Sequence, residues 1–437
     1  MYVAISNKTS DSHLSDVLRG AASAILIRGL GLVAAFAFNV VIGRLLGVEG
    51  AGVLLLALTV CTIAAVLARL GLDGVVLRAV SISVARGDAY GTQDTYAASF
   101  LLVAVASVFV AAVVFALSEP MAAHLFRSLD VAESLAVLAL TIPATALLFL
   151  HAEMLRGLHR VASSQSLQNT LVYILAVPGA VILASATSHS VEWSYLISSY
   201  LVLVVAVLLW RRVTESHLAP VRFCTIKRLL AQSPPFFVTQ VMDLVNLWVG
   251  VLLIGVFSSE TQTGLFAMAA RVAVLGAAAL AAVNVLAAPK FAALHQANDL
   301  ASIEGLAKRT AKFALVVSAP VFLVFGFFGS HVMAIFGDGF RAAGGLLAIL
   351  AVGHLVNVAA GPVGYLLTMT GHATLQKRAT AFGAAVNTGL CLLLIPPLGA
   401  VGAAIAMAAS LVVQNVLGLV YVRQKFGFWI IPGLAAR

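Results

Sequence analysis

Charge is what this sequence has least of. Only 10% of its 437 residues are Asp, Glu, Lys or Arg, against about 25% in a soluble domain. With 62% hydrophobic residues and a mean hydropathy of +1.06, no soluble core could hide the apolar surface. Cysteine is scarce too. Cys61, Cys224 and Cys391 are far apart and form no metal or redox spacing. The chain has no Gly-rich phosphate loop with its lysine, no nucleophile elbow and no zinc motif. These absences argue against an ATP-driven pump, and no cofactor is expected. Short alternating segments of about 10 residues are missing as well, which excludes a transmembrane β-barrel.

What the chain does have is apolar runs of about 20 residues, the length that crosses a bilayer as a helix. They predict twelve spans, near 22–42, 52–71, 96–117, 134–155, 169–186, 193–210, 236–257, 264–286, 313–329, 343–369, 379–397 and 400–421. Gly361-Pro362 predicts a kink in the tenth. The polar stretch Met1 to Arg19 reads as a lead-in, with no cleavage site after an apolar core.

The net charge of +9 would raise nucleic acid for a soluble protein. Here the basic residues occupy short loops, so nucleic acid is not an expected partner. Of the 26 Lys and Arg, 21 fall on the side of the N-terminus. Three (Arg44, Arg127, Arg341) fall on the other side, and two (Arg28, Arg271) lie within spans. Basic loops stay inside, so both termini are expected in the cytoplasm.

The basic segment from Arg211 to Ser233 divides the spans six and six. The expected organisation is a lobe over 1–215, a connector over 216–235 and a second lobe over 236–437. Gly43 and Gly52 match Gly255 and Gly264, each 212 residues on, and Leu125-Phe126 matches Ile335-Phe336, 210 residues on. Parallel repeats of this kind occur in transporters, with the substrate site at the repeat interface.

Ionisable side chains inside spans are expensive and face a cavity or a partner. Arg28, Asp243 and Arg271 qualify. Arg28 shares a helix face with Ala24, Gly31, Ala35 and Asn39. Both arginines suit an anionic group, because the guanidinium fork matches phosphate oxygens. Either could instead snorkel to the surface. Asp243 lies on a stripe with Thr239, Gln240, Asn246 and Gly250. Further stripes are His354, Asn357, Gly361, Tyr365 and Thr368 in the tenth span, and Thr380, Gly383, Asn387 and Cys391 in the eleventh. The twelfth carries Ser410, Gln414, Gly418 and Tyr421. Such stripes either glue helices together or line a hydrated cavity. Oxygen ligands at Asp243, Asn246 and Asn387 would suit Na⁺, and a buried carboxylate alone would suit a proton. His151 and Glu153 read as an interfacial cluster rather than a metal site.

Several stretches carry a family likeness. IGRLLGVEGAGVLLLALTV from Ile42, TGLFAMAARVAVLG from Thr263 and FGDGFRAAGGLLAIL from Phe336 resemble signatures of bacterial polysaccharide flippases. TGHATLQ from Thr370 and IPPLGAVGAAIA from Ile395 complete the order. These flippases belong to the multidrug/oligosaccharidyl-lipid/polysaccharide exporter superfamily. Phe266 stands where the family usually has Tyr.

The resemblance implies an all-α membrane protein of two pseudo-symmetric six-helix lobes around a central cavity. It implies a polyprenyl-pyrophosphate-linked oligosaccharide as cargo, flipped outward across a bacterial inner membrane. O-antigen, capsule or exopolysaccharide biosynthesis would use it. Arg44 and Arg271 are the arginines that match the family's own, and Arg28 joins them as a substrate-binding candidate from its place in the span. Implied partners are the lipid-linked oligosaccharide, membrane lipid, H⁺ or Na⁺, and polysaccharide polymerase and chain-length proteins. Three other readings compete: a drug exporter of the superfamily, a lipid II flippase, and a membrane polymerase or ligase. The last is an enzyme and would need a large outer loop. The largest here, 118–133, offers no convincing acid/base pair.

Overall fold

The computed structural model describes residues 10–187, 189–214 and 220–430, and side chains within these from Leu26 onward except at 169 and 285. Every regular element among them is helical. A chain in lipid must satisfy its backbone internally, and helices do so within one segment. The helices are α1 (Ser10–Ala68), α2 (Leu72–Ala85), α3 (Ala89–Ala116), α4 (Asp130–Ala139), α5 (Thr141–Gly157), α6 (Val161–Asn169), α7 (Leu171–Leu183), α8 (Ser190–Thr214) and α9 (Phe223–Gln232). The second half adds α10 (Pro234–Phe257), α11 (Glu260–Leu275), α12 (Ala278–Gln296), α13 (Leu300–Phe327), α14 (Gly344–Ala360), α15 (Val363–Met369), α16 (Ala373–Leu398) and α17 (Ala400–Phe426). Residues 1–9 of the expected lead-in and part of the basic connector, 215–219, lie outside the described residues.

Ten helices are long and apolar enough to cross a membrane, and α4 with α5, bent by 44°, forms an eleventh span if counted as one. The longest of them covers Leu26–Ala68, 43 residues, about twice what one crossing needs. It is broken at Gly47, where φ is 68° and ψ is −167°. A side chain is strained at that φ, so glycine serves there. Two spans meet at this break, which gives the twelve expected. The kink at Gly361-Pro362 is present too: α14 ends at Ala360, Gly361 has φ 73°, and α15 begins at Val363. One break escaped the sequence. The eighth span divides at Gly276-Ala277 into α11 and α12.

The outward faces are as apolar as the interior. Phe109, Ile182 and Phe327 are 68%, 73% and 80% exposed. Water would not tolerate so many side chains of this kind together, and lipid does.

Contacts divide the chain into two units. One comprises 1–38, 68–108 and 143–234, the other 39–67, 109–142 and 235–437. These units are cut differently from the lobes expected over 1–215 and 236–437, because 39–67 and 109–142 pack with the second half of the chain.

In the first unit Tyr96 stacks on Trp210, with ring centroids 4.8 Å apart. Phe38 packs between Tyr173 and Tyr195. The connector helix α9 is tied to α3, where Thr225 Oγ1 donates to Asp94 Oδ2 at 2.6 Å. In the second unit Phe291, Ile303, Leu366, Leu367, Val422 and Ile430 bury themselves in one apolar core.

Candidate functional site

Arg271, half-buried on α11, is held by Asn39 of α1. Its Nη1 donates to Asn39 Oδ1 at 3.0 Å. Asn39 lies on the stripe assigned to Arg28, so two residues singled out separately by sequence are brought together. An amide oxygen beside a guanidinium orients the fork without neutralising it. Arg28 belongs to the other unit and is exposed. No hydrogen bond or ion pair holds it among the described residues.

Arg44 sits elsewhere, just before the Gly47 break. Its Nε donates to the carbonyl oxygen of Ile335 at 3.0 Å. It lines a cavity of about 550 Å³ with Gly43, Gly47, Val48, Gly337 and Phe340.

The stripes of the seventh, eleventh and twelfth spans meet. Asn246 Nδ2 donates to the carbonyl oxygen of Thr380 at 3.2 Å, and Asn387 Nδ2 donates to that of Asn246 at 3.1 Å. Gln414 Nε2 reaches Thr380 Oγ1 at 3.2 Å, and Ser410 Oγ donates to the carbonyl oxygen of Gly383 at 2.8 Å. Asn415 Nδ2 donates to Asn357 Oδ1 at 3.0 Å, which ties α17 to α14. These amides spend their donors holding helices together, as polar side chains do in lipid. Asp243, one turn before Asn246, is exposed and takes no part in these bonds. Buried His354 stacks on Phe322, and neither ring nitrogen has a partner among the described residues.

The His151 and Glu153 neighbourhood is fully occupied. His151 bonds to Tyr96 OH at 3.2 Å and to the Leu147 carbonyl oxygen at 2.7 Å. Glu153 accepts from Arg156 and from Gln168. Among the described residues no group of three His, Cys, Asp or Glu side chains could hold a metal.

Sequence reading missed a buried ion pair. Arg69 Nη1 lies 3.2 Å from Asp73 Oδ2, and the guanidinium sits 4.6 Å over the Phe149 ring. Burial pushes the Arg69 guanidinium below its ordinary range, while Asp73 and Glu153 pull the other way. Helical spacing could not reveal the pair, because the chain between the two residues leaves the helix, with φ of 53° at Leu70 and 73° at Gly71.

The fold is that of a multi-pass all-α membrane protein. The chain belongs to the polysaccharide biosynthesis protein family, whose profile matches residues 41–343. A probable low-salt glycan biosynthesis flippase of Haloferax volcanii is 27% identical over 266 residues. That match covers 60% of this chain and 55% of the relative, so it spans about half of the relative's length. Several solved structures share the fold. A multidrug resistance MATE family transporter of the MOP superfamily, in an inward-facing conformation, aligns with a TM-score of 0.74. It is 16% identical, over 93% of this chain and 98% of that one. The lipid II flippase MurJ aligns with a TM-score of 0.75 at 13% identity, over 93% and 87%. The fold class is therefore the one the sequence implied, an all-α membrane protein of about twelve spans in two lobes.

Proposed function

We propose that the protein flips a polyprenyl-pyrophosphate-linked oligosaccharide from the cytoplasmic to the outer leaflet of a bacterial inner membrane, by alternating access. The supporting observation is Arg271, a cation in an apolar stretch of the sequence oriented by an amide, in a chain whose family serves polysaccharide biosynthesis. A pyrophosphate is the anionic part of such a cargo, and a guanidinium fork binds it through paired hydrogen bonds. Arg28 and Arg271 are assigned to that group. Both termini are placed in the cytoplasm by the distribution of basic loops, and lobes over 1–215 and 236–437 are taken to alternate. Asp243, exposed one turn from the Asn246 and Asn387 amides, is assigned to proton or sodium coupling. On this reading the protein is a transporter and not an enzyme.

The test is reconstitution in vesicles carrying a labelled polyprenyl-pyrophosphate oligosaccharide. The wild-type protein is expected to expose the label to a glycosidase on the far side. Arg271→Ala should stop this with membrane insertion unchanged. No translocation by the wild type, or export of cationic drugs instead, would overturn the proposal.

A further inference from the structure

Gly52 and Gly264 occupy equivalent places in the two halves of the sequence, and in the structure they touch each other. A Cβ built on Gly52 would collide with the carbonyl oxygen of Glu260 and stand 3.1 Å from Gly264 N. A Cβ built on Gly264 would collide with the carbonyl oxygen of Val48 and stand 3.0 Å from Gly52 N. Val48 and Glu260 are also 212 residues apart. Each begins a helical arm, Val48 after the Gly47 break and Glu260 at the start of α11. The two collisions are thus one contact seen from both sides. A self-reciprocal contact marks a two-fold axis, because only elements on the axis meet their own equivalents.

Three further contacts lie at the same end. A Cβ on Gly43 would stand 2.5 Å from the carbonyl oxygen of Phe336. Arg44 Nε donates to the neighbouring Ile335 carbonyl oxygen at 3.0 Å. A Cβ on Gly339 would stand 4.0 Å from Val48 Cβ.

We propose that these contacts form the outer seal of the translocation path, with Arg44 as a positioning residue that latches it rather than a ligand of the cargo. The proposal rests on the function and topology given above, which put these segments at the outer ends of their helices. Glycine suits a seal that must open. At Gly52 and Gly264 bare backbones close on each other, and their separation forfeits dispersion but strands no buried polar group. The latch suits opening too, since Arg44 is exposed and returns to water when its bond breaks. Arg44 has no equivalent in the other half, where Val256 stands 212 residues on. The seal is symmetric in its backbone and one-sided in its latch.

The test is a Val48→Cys/Gly339→Cys protein in which exposed Cys224 is replaced by Ser. The 4.0 Å Cβ separation lies within the disulfide range of about 3.5–4.5 Å. Oxidation should link the pair and slow translocation at least about ten-fold, as a locked gate does, with recovery on reduction. Unchanged translocation by fully linked protein overturns the proposal.

A second measurement uses the single Val48→Cys variant and a membrane-impermeant maleimide added from outside. Arg44→Ala and Gly52→Val should each speed its labelling, and Arg44→Lys should bring the rate back toward that of intact Arg44. Equal rates in all of them would overturn the seal. Arg44→Ala should bind the lipid-linked oligosaccharide as tightly as before. A ten-fold weaker binding would make Arg44 a ligand and overturn the latch. Labelling needs no cargo, so it judges the seal even if the wild type moves no glycan lipid and the functional reading falls.

Discussion

At the crossing of α1 and α11 the backbones touch because side chains are absent; between α10 and α16 side-chain amides make the contact, donating to backbone carbonyl oxygens. The two regions also differ in symmetry. The crossing repeats across the halves, with Val48 and Gly52 matched by Glu260 and Gly264. The amides do not repeat. Counting back 212 residues from Asn246 gives Ala34, and counting back 210, the offset of the later match, from Asn387 gives Val177. A contact both halves share belongs to the repeated frame. A cluster found in one half alone belongs to what that half specialises in, and Asp243 stands beside it.

Gly52→Val tests the crossing most severely. The obstacle is the Glu260 carbonyl oxygen, and backbone cannot rotate away as a side chain can. Overpacking should destabilise the protein by about 1–3 kcal/mol, read as a lower unfolding temperature in detergent. Gly305, with open space around its Cβ position, is the control. Gly305→Ala should change stability by less than about 1 kcal/mol. Equal effects at the two glycines would mean that the crossing carries no special load.

Asn387→Ala probes the other region. It removes the donor to the Asn246 carbonyl oxygen and the acceptor for Cys391 Sγ, and Asn387 is buried. The loss should be about 1–2 kcal/mol, with transport by the surviving folded protein still responding to an ion gradient. Asp243→Asn should do the reverse, leaving the unfolding temperature in place and removing the gradient dependence. If wild-type transport ignores both pH and sodium gradients, Asp243 has no coupling role.

The Arg271–Asn39 bond allows a finer measurement. A double-mutant cycle on Arg271→Ala and Asn39→Ala should give a coupling of about 1 kcal/mol. Additive effects would show that the amide does not orient the arginine.

Much of the fold was legible because lipid imposes one rule, about 20 apolar residues per crossing. Gly361-Pro362 announced its kink. The break at Gly276-Ala277 was hidden because the hydropathy continues through it. The repeat was visible at Gly52 and Gly264, but nothing in one dimension says that matched glycines touch. Arg271 was legible as a charge in an apolar run, whereas its bond to Asn39 joins residues 232 apart. Arg44 was read as a cargo ligand by family resemblance; its bond to Ile335 depends on a loop that no motif spacing could place beside it. Arg69 was passed over because it stands at the end of an apolar run, where cations are ordinary.

The smallest stability effect is expected at Arg28, and there the difference between stability and function is sharpest. Its side chain is exposed and makes no bond among the described residues. Replacing such a residue changes stability by within about 0.5 kcal/mol, so Arg28→Ala should unfold at the wild-type temperature. An arginine that snorkels to the surface would leave transport equally untouched. One that meets the pyrophosphate would not: translocation should fall steeply in Arg28→Ala and recover only in part in Arg28→Lys, because an ammonium keeps the charge but not the fork. Arg271→Ala should lose both translocation and the bond to Asn39, so the pair separates a cation that only binds from one that also packs. Full translocation by the Arg28→Ala/Arg271→Ala double variant would show that neither guanidinium meets the cargo.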